Sequence, residues 1–95
     1  MINSCSKVWC GFFKAIHDHH RQHILEIIHK SGPLNASDII GKLRLSQPTV
    51  SHHLKILSQA KLIHAQKKGK ETVYSINKSE IVECCGSFMK KYASD

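Results

Sequence analysis

Apolar positions along this 95-residue chain recur at helical spacing in most segments and alternate in one. Val8, Trp9, Phe12, Phe13 and Ile16 predict a first helix from about Lys7 to Ile16. Ile24, Leu25, Ile27 and Ile28 predict a second from about His19 to Lys30, ended by Gly32 and Pro33. Asn35 is a good N-cap for a short third helix carrying Ile39, Ile40 and Leu43. A tight turn, "RLS", leads to Ser46 as the N-cap of a fourth helix that runs to about Ala60. Pro48 falls in its first turn, where a missing N–H costs nothing.

The pattern then changes to period two. Ile63 and Ala65 face one way before a turn, and Thr72, Tyr74 and Ile76 alternate after it. "KKGK" between them is the glycine-centred, cationic tip of a β-hairpin. A final helix from about Ser79 to Tyr92 places Ile81, Val82, Cys85, Phe88, Met89 and Tyr92 on one side. The fold expected is mainly α with a small β-hairpin, in one domain over residues 1–95. Its third and fourth helices are joined by about three residues, as in a helix-turn-helix.

The fourth helix is the informative one. At about 100° per residue, Val50, Leu54 and Leu57 share the face that anchors it to a core. Thr49, Ser51, His52 and Lys55 face away, and Ser46 and Gln47 project from its N-terminal turn. A solvated helix face commonly mixes glutamates with lysines, but no acid occurs from Gln47 to Ala60. Hydrogen-bonding side chains of modest length with one cation suit base edges and phosphates in a major groove. The helix N-terminus adds partial positive charge toward phosphate. Lys67, Lys68 and Lys70 around Gly69 would add backbone contacts, which strengthen binding without reading sequence.

Composition agrees. Fourteen Lys and Arg against seven Asp and Glu give a formal net charge of +7, a field that favours polyanions. Nucleic acid is the commonest such partner. No apolar run approaches the roughly 20 residues of a membrane-spanning helix, and the N-terminus does not read as a secretory signal. Four cysteines, two near each end, read as reduced thiols of a cytoplasmic protein. No phosphate-binding glycine loop, nucleophile elbow or His-Glu-x-x-His occurs, so an enzyme is not expected.

"LSQPTVSHHLKILSQAKLI" followed by "KKGKETVYSIN" resembles the ArsR/SmtB family of bacterial winged helix-turn-helix repressors. The preceding segment matches that family too, with Ala15, Arg21, Ile24, Leu25 and Asp38 in corresponding places. The resemblance implies a homodimer built from the first and last helices, bound to an inverted-repeat operator on double-stranded DNA. It also implies release by an effector or by thiol oxidation. Val8, Trp9, Phe12, Val82, Phe88 and Met89 are the expected interface residues; Trp9, Phe12, Phe88 and Met89 exceed what a core this small needs.

Two clusters remain. Residues 17–23 read "HDHHRQH", holding four of the eight histidines. His19 and His23, or His20 and His23, share a helix face and are spaced for zinc, but a full site needs three or four converging ligands. Asp18 is explained as a helix cap, and a polar surface that gains charge below pH 6.5 is the plainer reading. The metal sites associated with the resembled family lack their ligands here. Asn35 and Ser37 stand in place of a Cys-x-Cys, and the last helix has no histidine. Cys84 and Cys85, with Cys5 or Cys10 as a third thiolate, leave three readings open. These are passive packing, a thiol switch, and a site for a thiophilic metal or metalloid. No cofactor is otherwise called for. Rival functions are a small Cys/His metal-binding protein and a winged helix used for protein contacts.

Overall fold

The computed structural model describes residues 11–93. Helical residues 11–16 form α1, followed by α2 (His19–Ser31), β1 (Leu34–Asn35), α3 (Ala36–Lys42) and α4 (Gln47–Gln59). The chain continues through β2 (Ile63–Lys68), β3 (Glu71–Ile76) and α5 (Lys78–Tyr92). Each of the four later helices begins on a side-chain cap that satisfies an otherwise orphaned N–H. Asp18 accepts from the backbone N–H of Arg21 at 3.0 Å, and Asn35 from Asp38 at 2.8 Å. Ser46 accepts from Thr49 at 3.4 Å and Asn77 from Glu80 at 3.3 Å. Gly32, at φ 81°, closes α2 in a conformation that disfavours side-chain-bearing residues.

Ile24 and Ile28 of α2, Ile39 of α3, and Val50, Leu54 and Leu57 of α4 converge with Leu62 into a core. Fully burying one such aliphatic side chain contributes about 1.5–3 kcal/mol. The helix-turn-helix of α3 and α4 is therefore held by its apolar inner faces. Its outer faces are left to solvent.

The sheet has order β1-β3-β2 and is antiparallel throughout. β1, absent from the sequence reading, pairs Leu34 with Tyr74 and Asn35 with Val73. It makes β3 the central strand, and Thr72 through Ile76 are all half-buried. Ala65, expected on the same side of the strand as Ile63, is exposed whereas Ile63 is buried. β2 is an edge strand, and only its first residue, Ile63, is buried.

α5 differs from expectation in which cysteine it buries. Cys84 is the residue turned into the core, while Ile81, Cys85 and Phe88 are half-buried beside it. Val82, Met89 and Tyr92 stay exposed at 68%, 60% and 62%. The apolar arc of α5 is thus wider than the core it meets. α1 and α5 do pack together, through an edge-to-face contact of Phe13 with Phe88 at 4.9 Å. Phe12, expected at a subunit interface, is 3% exposed and belongs to the chain's own core. Val8, Trp9, Cys5 and Cys10 lie outside the described residues.

Candidate nucleic-acid interface

α4 presents the face the sequence implied. Gln47, Thr49, Ser51, His52 and Lys55 are exposed, and Val50, Leu54 and Leu57 are buried. No acidic side chain lies on the helix. Ser46 is exposed but already engaged, because its hydroxyl also lies 2.9 Å from that of Thr49. The N-terminal end of α4 carries partial positive charge, the polarity that suits a phosphate oxygen.

His53 was not foreseen. It is 7% exposed, the only buried polar side chain among the described residues. Arg21 reaches it from α2: Arg21 Nη1 lies 3.2 Å from His53 Nδ1. The same guanidinium donates through Nε to the Ala15 carbonyl at 2.6 Å and through Nη2 to the Lys14 carbonyl at 3.1 Å. Arginine has no acceptor and keeps its proton, so Nδ1 must be the acceptor and His53 is neutral. Burial is the main cause that pushes its pKa below the usual imidazole value; Arg21, His20 and His52 reinforce it and Asp18 opposes it. Helical spacing carried the signal. On the wheel of α4, His53 falls about 40° beyond Leu57, at the edge of the anchoring side.

The wing is the β2–β3 hairpin. Lys68 pairs with Glu71, leaving Gly69 and Lys70 as a two-residue turn. Gly69 has φ 65°, which the first position of a tight hairpin turn requires. Lys67, Lys68 and Lys70 are all exposed. Asn35 ties the base of α3 to this hairpin by donating to the Glu71 carboxylate.

The family model described as "Bacterial regulatory protein, arsR family" matches residues 18–65, the span from the cap of α2 into β2. This chain belongs to the ArsR family. It is 45% identical over 65 residues to the transcriptional repressor SdpR of Bacillus subtilis, covering 68% of this chain and 71% of that protein. To an arsenical resistance operon repressor of Bacillus subtilis it is 33% identical over 88 residues, covering 87% and 84%. The solved structure of an ArsR-like transcriptional regulator from Rhodococcus superposes with a TM-score of 0.84 at 23% identity. It covers 93% of this chain and 82% of the other. The fold is accordingly the winged helix of ArsR regulators, and the family is one of regulators, not enzymes.

Within that ArsR frame the remaining clusters separate. Asn35, where a thiolate was sought, is spent capping α3, and Ser37 is exposed. Asp18 caps α2, while His17, His19, His20 and His23 are exposed. The His19 and His20 rings lie 5.6 Å apart, tilted by 59°, and His20 approaches His53 at 5.9 Å. Among the described residues, no three His, Cys, Asp or Glu are grouped to hold a metal ion. Burial, with the Glu80 carboxylate 3.5 Å from its sulfur, pushes the Cys84 thiol up to about 11. At neutral pH it is a thiol, a poor nucleophile and a poor metal ligand. Cys85 is half-buried on the neighbouring face.

Proposed function

We propose that this protein is a sequence-specific, DNA-binding transcriptional repressor that acts in the cytoplasm as a homodimer on an inverted-repeat operator. The observation that carries the reading is the acid-free outer face of α4, set beside a three-lysine wing, in a chain 45% identical to a repressor. α4 enters the major groove, with Gln47, Thr49, Ser51 and His52 at base edges. Ser46, Lys55, Lys67, Lys68, Gly69 and Lys70 lie toward the phosphates. Two such helices, about 34–36 Å apart in the dimer, would read successive turns of one duplex face. Residues 1–95 act as one domain. The exposed apolar stripe of α5, with Phe88, Val8 and Trp9, forms the subunit contact.

Repression follows if the occupied operator excludes polymerase. A thiol-reactive or metalloid effector is a further part of this reading, with Cys85 the more accessible of the adjacent pair and Cys5 or Cys10 as partners. A gel shift against DNA upstream of the protein's own gene tests the core of the proposal. The expected result is retardation of one fragment at concentrations that leave random DNA of equal length free. Equal binding to both would refute it.

A further inference from the structure

α4 is held to the rest of the molecule by two kinds of contact. Val50, Leu54 and Leu57 bury apolar surface, which fixes depth but tolerates rolling and sliding, because the hydrophobic effect has no direction. The Arg21–His53 contact is directional. One planar guanidinium holds both the Lys14 and Ala15 carbonyls, at the end of α1, and the imidazole of α4. The fork geometry of arginine ties all three helices to one plane. Lysine at the same place would supply a single charge and could not span these acceptors.

We infer that Arg21 and His53 are positioning residues that set the roll of α4 against α1 and α2, and so determine which bases its outer face can select. This rests on the reading that α4 enters the groove. A side-chain tip sits roughly 5–6 Å from the helix axis, so a 20° roll moves it by roughly 2 Å. That exceeds the tolerance of a base-edge hydrogen bond. Phosphate contacts on flexible lysines survive such a shift. Loss of the brace therefore reduces discrimination between sequences more than overall attraction to DNA.

The brace also depends on proton state, since a protonated His53 has no acceptor to offer and sets two cations in contact. The groups facing His53 are Arg21, His20 and Asp18 from α2 and His52 on its own helix; α1 offers backbone carbonyls. Any general gain of positive charge in acid raises attraction to both duplexes and is common to the wild type and the His53 variants. The ratio of affinities is thus the informative quantity.

The experiment begins by enriching a duplex from a random pool with the wild-type protein. Its Kd is then compared with that for a scrambled duplex of the same composition. Arg21→Lys and His53→Ala should each lower the selected-to-scrambled ratio by about tenfold, the size of one lost base contact, with the scrambled Kd nearly unchanged. His53→Asn places a carbonyl oxygen near the position of Nδ1 and takes up no proton, so it should restore the ratio. As pH is lowered from 7.5 until His53 takes up its proton, followed by the NMR shift of its imidazole, the wild-type ratio should fall more steeply than that of His53→Asn. A wild type that enriches no duplex overturns both this inference and the proposed function. A selective wild type with equally selective Arg21→Lys and His53→Ala overturns the brace alone. So does a His53→Asn ratio that falls in acid as steeply as the wild type's. That last comparison uses two proteins that keep the contact, so it does not depend on a variant that folds poorly.

Discussion

Burial and cationic neighbours hold the His53 pKa below its usual value, and this gives stability a definite pH sense. The unfolded imidazole titrates near 6.5, whereas the folded one resists the proton to lower pH. The resulting stabilisation is fully present above about 6.5 and is lost as pH falls from there through the folded value. Melting temperature should fall between pH 7.5 and pH 5.5, and His53→Asn should flatten that decline. A decline of unchanged slope would show that some other group governs it. Cys84 offers a second test at the same scale. With a pKa of about 11, roughly one molecule in a thousand carries its thiolate at pH 8, and the sulfur is buried. Iodoacetamide should label Cys85 well before Cys84, as read by peptide mass spectrometry. Equal rates would mean that α5 leaves the core often enough to expose both.

At the scale of elements, the end of α4 carries strain that can be removed. Lys61 has φ 63°, a left-handed conformation, and the turn it makes closes two hydrogen bonds. Its N–H donates to the Ser58 carbonyl and that of Leu62 to the Leu57 carbonyl, both at 3.0 Å. A side chain in that conformation costs roughly 1–2 kcal/mol, and glycine gives back roughly 0.5–1 kcal/mol of this in backbone entropy. Lys61→Gly should therefore stabilise by about 0.5–1 kcal/mol, raising the urea midpoint at constant m-value. A lower midpoint would mean that the lysine side chain contributes more than its backbone costs. The elements themselves were legible wherever a cap and a period coincide: Asn35 and Ser46 marked the starts of α3 and α4, and Gly32 the end of α2. β1 was not, because two residues have no period, and its pairing with β3 depends on partners some forty positions away. The inward turn of Cys84 was missed because the apolar arc of α5 is broad, and packing, not pattern, chose which part of it met the core. The outer face of α4 and the lysine tip of the hairpin were readable from periodicity and residue type together, and both are exposed. The Arg21–His53 contact needed the tertiary fold to bring α2 and α4 together.

At the scale of the whole molecule, one 10.7 kDa chain displays an apolar stripe on one helix and a cationic wing on a hairpin. An exposed row of Val82, Met89 and Tyr92 on α5 is a liability for a monomer and an asset for a symmetric pair. Val82→Asp with Met89→Asp should convert a particle of twice the chain mass into a monomer in sedimentation analysis, with the fold retained by circular dichroism. A wild type already monomeric at micromolar concentration would remove the pairing. On the proposed function, the wing should set how binding responds to salt. Each lysine that neutralises a phosphate releases condensed counterions and steepens the fall of log Kobs with log salt by roughly 0.9. In the proposed homodimer Lys67, Lys68 and Lys70 are each present twice, so replacing all three with glutamine should flatten the slope by roughly 5 if every one touches the backbone. Selectivity between duplexes should stay as it was, since these contacts carry no sequence information. A slope unchanged by the triple substitution would place the wing away from the duplex. A flattened slope with lost selectivity would place a lysine at a base edge. The combination of flattened slope and kept selectivity is the one that assigns attraction to the hairpin and discrimination to α4.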